Sequence, residues 1–282
     1  MSLVSLKPWI DAGHQAGFAV PLFCVPSLTT AIGVVRAAEA EKAPIIFGMY
    51  NDWFKHKDYG AICAGMRDLA ATASVPVGLM LDHGSSFEMC VKALRHGFTD
   101  LMFDGSALPF AENAAITRQI CDCAHPLGVS VEAELGHVGH GSDYDADEAR
   151  SHYTQPESLA EFAQISGADV MAVAFGTAHG DYKSTPKLDL ALLERLEAAS
   201  PVPLAMHGGS GLSEDQFHGA ISRGICKINV GTHLFHEAAG KVKAHIESGA
   251  KPDLFAIEDG IRDAFDETCR YYIRLFGASG KA

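Results

Sequence analysis

The stretch LMLDHGSS, Leu79 to Ser86, runs an apolar segment into a carboxylate and an imidazole, Asp82 and His83, and then breaks at Gly84 and two serines. The pattern recurs along the chain. DLMFD closes on Asp104, VSVEAEL carries Glu132 and Glu134, DVMAVAFGTAHG runs on to His179, VPLAMH closes on His207, and CKINV leads through Asn229. Taken singly, such a group has an ordinary explanation: a histidine bonded to a carbonyl, or an acid facing a lysine. Gathering three histidines and four acids at one place is costly unless the charges pair or bind a cation. Three imidazoles around an open coordination position form a catalytic zinc arrangement, so His83, His179 and His207 are candidate ligands for Zn2+. Glu132 and Glu134, two apart, project to the same side of a strand. Glu134 would approach the metal region, where Asp104 could join it at a site for a second divalent or monovalent cation.

HGGSGLSEDQ, His207 to Gln216, surrounds Ser210 with glycines, and Ser213 with Gln216 has the spacing of a helix capping box. Such a loop offers bare backbone N–H groups to an anion. NVGT, Asn229 to Thr232, ends the neighbouring apolar run. Two such loops after the seventh and eighth strands are where barrels commonly hold a phosphate.

These residues need a scaffold that brings strand ends together. Eight short apolar runs begin near residues 18, 44, 76, 100, 129, 169, 202 and 226, with amphipathic stretches of helical period between them. That alternation, with no break in composition, predicts a single (β/α)8 barrel domain over residues 1–282, with an extra terminal helix over 259–276. A doubly wound open sheet is the competing architecture. Residues 136–156 are glycine-rich and polar, and a loop of that length inside a compact domain reads as a mobile active-site lid.

The composition narrows the partners. A net charge of −13 argues against nucleic acid, which would demand a basic face. No apolar run approaches the ~18 residues that a membrane helix needs, and the N-terminus lacks the pattern of a secretion signal. The seven cysteines contain no CxxC and read as reduced thiols of a cytoplasmic protein. Of the fourteen histidines, His14, His56, His125 and His218 are expected on the surface or on helices.

LDHGSSFE, VSVEAELG, GTAHGDYK, HGGSG and KINVGT together resemble the signature blocks of the class II, zinc-dependent ketose-bisphosphate aldolases, in order and spacing, over nearly the whole chain. The resemblance implies a barrel, a homodimer or homotetramer, and reversible aldol cleavage of a phosphorylated ketose to dihydroxyacetone phosphate and an aldehyde. Carried over by position, it implies zinc ligation by His83, His179 and His207 and a second metal site at Asp104 and Glu134. Asp82 would exchange a proton with the C4 hydroxyl. Gly180, Gly208, Gly209, Ser210 and the segment Asn229, Val230, Gly231, Thr232 would bind dihydroxyacetone phosphate. A Lewis-acid metal suits this chemistry, because it stabilises an enediolate without a lysine Schiff base.

Departures from the family fall elsewhere. Cys24 stands where an asparagine is usual, Tyr50 where a serine helps hold the aldehyde half, and Gly231 where an acidic or amide residue is frequent. Gly141 and Ser142, followed by Asp143, occupy the place of an acidic pair in the mobile loop. The metal ligands, the catalytic aspartate and the first phosphate loop are therefore kept while the aldehyde side and the loop acid are changed, which points to a substrate other than fructose 1,6-bisphosphate. A metal-dependent epimerase or isomerase using the same enediolate is the alternative activity, and a non-catalytic sugar-phosphate binder a further one. Lys183, Arg262 and Arg274 are additional candidates for contact with phosphate, the arginines by way of the terminal helix.

Overall fold

The computed structural model describes all residues except 1, 56–58, 140, 142–149, 184–185, 250 and 252. Each apolar run forms a parallel strand: β1 (Val20–Cys24), β2 (Ile45–Tyr50), β3 (Val77–Gly84), β4 (Asp100–Phe103), β5 (Ser130–Leu135), β6 (Val170–Val173), β7 (Leu204–Met206) and β8 (Ile225–Val230). They pair in chain order into a closed barrel. β1 meets β8 with Leu22 opposite Asn229, so the sheet has no free edge. An open sheet is excluded. Strands buried on both faces read as continuous apolar runs rather than alternating ones, and Ile45 to Met49 of β2 are all buried.

Between the strands run α2 (Leu28–Glu41), α3 (Tyr59–Thr72), α4 (Phe87–Arg95), α5 (Phe110–Ala124), α6 (Pro156–Ser166), α7 (Leu190–Ala199) and α8 (Glu214–Ile221). Ahead of β1 lies α1 (Lys7–Ala16), and after β8 come α9 (Thr232–Glu247) and α10 (Leu254–Leu275). The capping box expected from Ser213 and Gln216 is formed at the start of α8. Gly167 ends α6 at φ 71°, in the left-handed region where glycine is favoured.

The terminal helix begins five residues earlier than its sequence pattern suggested, because Asp253 caps the backbone N–H groups of Phe255 and Ala256. It lies against α2, where a Cβ on Gly33 would sit 2.5 Å from the Arg262 carbonyl oxygen. Close contact between the two helices therefore requires glycine there. No described helix is long and apolar enough to cross a membrane.

At the N-terminal end of the barrel, Asp100 ties three segments together. Its buried carboxylate accepts from Ser5 Oγ at 2.8 Å, Leu6 N at 3.2 Å, Thr99 Oγ1 at 2.7 Å and Ser130 Oγ at 2.6 Å. Asp100→Ala would strand these donors, each at a cost of about 1 kcal/mol or more. We expect urea unfolding of this variant to show a loss of about 3 kcal/mol; a loss under about 1 kcal/mol would mean that this anchor is dispensable.

Candidate active site

The site is assembled at the C-terminal ends of the strands, beginning with β3. Simple alternation would send Asp82 and His83 to opposite faces of the sheet. The pairing of β3 with β4 instead shifts between Leu81, opposite Leu101, and Gly84, opposite Phe103, so β3 holds one extra residue. Such a bulge re-aims side chains. His83 adopts φ 53°, an uncommon left-handed conformation that polar residues tolerate best. Both side chains thereby face one cavity of about 570 Å³.

The three histidines meet there. His207 Nδ1 lies 3.0 Å from His83 Nε2, and the ring of His179 is centred 4.7 Å from that of His83 and 5.9 Å from that of His207. One nitrogen from each ring falls within 4.8 Å of the others. Tetrahedral ligands at zinc distances stand about 3.3 Å apart, so small adjustments would close the set. The remaining ring nitrogens of two histidines are held by carboxylates: His83 Nδ1 is 2.9 Å from Asp104 Oδ2, and His207 Nε2 is 2.7 Å from Glu132 Oε1. Carboxylates in this position orient a ligating imidazole and fix its tautomer.

His83, Asp104 and Glu134 form a second group with ligand atoms within the same limit. Glu134 Oε2 is buried and has no hydrogen-bond partner among the described residues. Burial, followed by the Asp104 charge, raises the Glu134 carboxyl to about 8. Burial would lower His83, but Asp82, Asp104 and Glu134 outweigh it and raise the imidazole to about 9. For Glu132, burial is overcome by Lys227 and His207, which hold its carboxyl near 2. Four carboxylates thus share the barrel mouth with one lysine, and the donor set fits a divalent cation that offsets the negative excess.

Asp82 is buried and tethered. Asn229 Nδ2 donates to its Oδ1 at 2.9 Å, and Cys24 Sγ donates to its Oδ2 at 3.7 Å. Burial, then the neighbouring Asp82 charge, pushes the Cys24 thiol well above its usual range, so it remains a donor. A Cβ on Gly231 would lie 3.0 Å from Cys24 Sγ. Two departures from the family pattern, at 24 and 231, therefore touch each other. The third, Tyr50, lines the same cavity with Trp53 and Phe235.

A second cavity, of about 620 Å³, adjoins the first through Gly180, Ser210 and Thr232. Gly208 and Gly209 line the first cavity alone. The N-terminus of α9 opens at Thr232, and the His233 N–H donates to Ser210 Oγ at 3.2 Å. Tyr182, overlooked in the sequence, clamps the two loops: its hydroxyl accepts from Ala178 N at 2.7 Å and donates to the Gly208 carbonyl at 2.9 Å. Gly208 itself has φ 69°, and a Cβ there would strike the Ala178 carbonyl oxygen at 2.3 Å.

Some candidates lie apart from the cavities. Val230 is fully buried in β8 and lines neither, and Glu134 sits behind the wall of the first. Lys183 lines the second cavity. Arg274 is instead held by Glu41 at 2.6 Å, and Arg262 pairs with Asp259 on its own helix. Ser142, Asp143 and seven further residues of the expected lid, 140 and 144–149, fall outside the described residues. Gly141 is described. A Cβ there would lie 2.6 Å from the Asp181 carbonyl oxygen, so the structure leaves no room for a side chain.

Comparison with known proteins agrees with this geometry. The profile of the family described as fructose-bisphosphate aldolase class-II matches residues 4–281. The chain is 40% identical over 291 residues to a fructose-bisphosphate aldolase of Geobacillus stearothermophilus, covering 100% of this chain and 99% of that protein. It is 39% identical over 280 residues to the uncharacterized protein YdjI of Escherichia coli K12, covering 99% of each. A crystal structure described as the YdjI aldolase superposes with a TM-score of 0.90 at 36% identity, covering 99% of both chains. Where these relatives are named for an activity, it is that of an aldolase rather than an epimerase.

The histidine cluster predicts metal-linked stability. A divalent ion at a hundred times its dissociation constant should stabilise chelator-treated protein by about 2.7 kcal/mol. The shift should disappear in His179→Ala when read by thermal melts, and its persistence there would remove His179 from the ligand set.

Proposed function

The chain belongs to the class II fructose-bisphosphate aldolase family, a family of carbon–carbon lyases, and on that premise we propose that it cleaves a ketose 1-phosphate reversibly to dihydroxyacetone phosphate and an aldehyde, with Zn2+ as its resident metal. One observation carries the choice of a monophosphate. Among the described residues lining the catalytic cavity there is no lysine or arginine, and the side bearing the family departures is walled by Tyr50, Trp53 and Phe235. Trp53 stands 6.1 Å from Tyr50 and 6.4 Å from Phe235, ring centre to ring centre. Among the described residues a distal phosphate would meet no lysine or arginine there, whereas the C–H faces of an uncharged sugar chain pack favourably on aromatic rings.

The first-row donor set of three imidazoles supports zinc over a hard cation such as Mg2+. When bound, the metal supplies Lewis-acid stabilisation of the negative charge that develops on the ketose fragment. His83, His179 and His207 would hold it, with Asp104 and Glu134 available to a second cation. Asp82 acts on the other fragment. Its carboxylate takes the proton of the C4 hydroxyl as the C3–C4 bond breaks, and the pair of electrons from that bond passes to C3; in condensation Asp82 returns the proton. Asn229 and Cys24 hold both carboxylate oxygens by donating to them, which keeps the base aimed. Gly180, Gly208, Gly209, Ser210 and Thr232, together with the N-terminus of α9, would bind the phosphate through N–H and hydroxyl donors, with Lys183 beside them.

All seven cysteines are free thiols, which supports placement in a reducing compartment such as the cytoplasm. A homodimer or homotetramer is the proposed assembly; Leu254 and Phe255 leave apolar surface exposed at the start of α10.

Two measurements test the reading. Michaelis constants should favour a ketose 1-phosphate over the corresponding 1,6-bisphosphate, and a strong preference for the bisphosphate would falsify the monophosphate assignment. Asp82→Asn should lower kcat by about 10^3-fold with metal content unchanged. Retention of more than about a tenth of wild-type kcat would remove Asp82 as the base.

A further inference from the structure

Lys227 lies on β8 with no exposure to solvent, and it lines neither cavity. Its ammonium touches two groups that the proposed mechanism uses only indirectly. Nζ donates to Asn229 Oδ1 at 2.6 Å and to Glu132 Oε1 at 3.2 Å, and stands in ion-pair contact with Glu132 Oε2 at 2.9 Å. Each partner passes the contact on. Asn229 Nδ2 donates to Asp82 Oδ1 at 2.9 Å, and Glu132 Oε1 faces His207 Nε2 at 2.7 Å.

We propose that Lys227 is a positioning residue that sets, through these two arms, the orientation of the Asn229 amide and the tautomer of His207. The first arm follows from the inventory of donors and acceptors. A carboxamide has one oxygen and one NH2, and either end fits the same volume. Lys227 can only donate, so the oxygen of Asn229 must face it and the NH2 must face Asp82. Without Lys227, the amide oxygen would lose its buried donor, leaving Asp82 Oδ1 and His207 Nδ1, 2.9 Å and 3.3 Å from Asn229 Nδ2, to hold the NH2 end in place.

The second arm follows the same logic. An ionised carboxylate only accepts, so Glu132 beside Lys227 requires His207 Nε2 to carry the proton. The lone pair is then left on Nδ1, the nitrogen 3.0 Å from His83 Nε2. One buried ammonium therefore selects both the donor offered to the proposed base and the lone pair offered to the metal. The activity arm rests on the aldolase reading; the metal arm does not.

The test compares Lys227→Met, Glu132→Gln and the double variant with the wild-type protein. Zn2+ affinity is read by chelator competition, kcat and KM at saturating Zn2+, and folding by thermal melts. Lys227→Met should weaken Zn2+ binding about tenfold or more and lower kcat about a hundredfold, with KM within about threefold of wild type. In the Glu132→Gln background, Lys227→Met should have no further effect on Zn2+ affinity, because its intermediary is gone. The fall in kcat should persist, since it runs through Asn229.

A folded Lys227→Met with Zn2+ affinity within about twofold and kcat within about threefold of wild type overturns the proposal. So does a double variant whose kcat equals that of Glu132→Gln alone. If Lys227→Met cannot fold with Glu132 left uncompensated, the double variant removes both members of the ion pair and decides by that same comparison. Wild-type protein that binds Zn2+ yet cleaves no ketose phosphate would sink the functional reading and leave the metal arm to chelator competition. Wild-type protein that binds no Zn2+ would overturn the metal arm itself.

Discussion

Charge buried in a barrel must be answered inside the barrel, and the rest of this structure depends on how that is done. Glu132 is compensated in full: Lys227 faces one side of it and His207 the other. Asp104 and Glu134 are not. His83 is the group that answers both, at 2.9 Å and 3.9 Å, and Glu134 is driven towards its neutral form by burial and by its neighbour. One half of the site is therefore electrostatically complete without any ligand, and the other accommodates its acids only by driving Glu134 towards neutrality and charging His83. A fold selected for stability alone would have replaced such acids with apolar residues, which is often neutral or stabilising. Their retention at the rim, beside three convergent imidazoles, would give a cation a favourable free energy here.

The departures at positions 24, 50 and 231 are far apart in the chain and adjacent in space. Cys24 and Gly231 pack together, since a Cβ at 231 would lie 3.0 Å from the thiol sulfur, close enough that the thiol would have to give way slightly. Tyr50 lies on the next strand, with its ring 6.2 Å from that of His83. The changes at 24, 50 and 231 thus share one wall of the cavity, while the loop after β7 keeps its glycines and Ser210. A lyase that preserves the half of its site handling the common triose fragment, and remodels the half facing the aldehyde, alters its substrate without altering its chemistry. On the proposed reading, specificity and catalysis are separable because different strands carry them.

Much of this was legible in the sequence for a physical reason. Parallel strands covered on both faces appear as apolar runs, and a polar residue at the end of such a run stands out, which is how Asp82, His83, Asp104, His207 and Asn229 could be placed at one rim. What escaped was anything fixed by a partner. Lys227 sits in plain view inside CKINV, yet its role appears only when Glu132 is found across the barrel. Trp53 and Phe235 belong to a short 3-10 turn and to α9, whose inward faces are decided by tertiary packing. Arg262 and Arg274 looked available for phosphate, but partners on their own helix and on α2 hold them. Val230 was included with its neighbours, and strand alternation turns it into the core.

The segment Asp82 to Ser86 shows how far adjacency in sequence can be made to serve geometry. Two neighbouring residues of a regular strand cannot share a face, so a base and a metal-ligating histidine side by side require an irregularity. The bulge supplies it, and the left-handed backbone of His83 is its cost. Gly84 makes the bulge possible: any Cβ there would lie 2.6 Å from the Met102 carbonyl oxygen, where β3 closes again on β4. Ser85 then ties the strand end to Asn51 Oδ1 through both its N–H and its hydroxyl at 3.2 Å. Ser86 caps α4 by accepting from Met89 N. Held at both ends in this way, His83 Nε2 and Asp82 Oδ1 stand 3.9 Å apart with no flexible segment between them. The group proposed to move the proton and the group proposed to hold the metal are thus fixed relative to each other by the backbone itself, which is the preorganisation that proton transfer coupled to charge stabilisation demands.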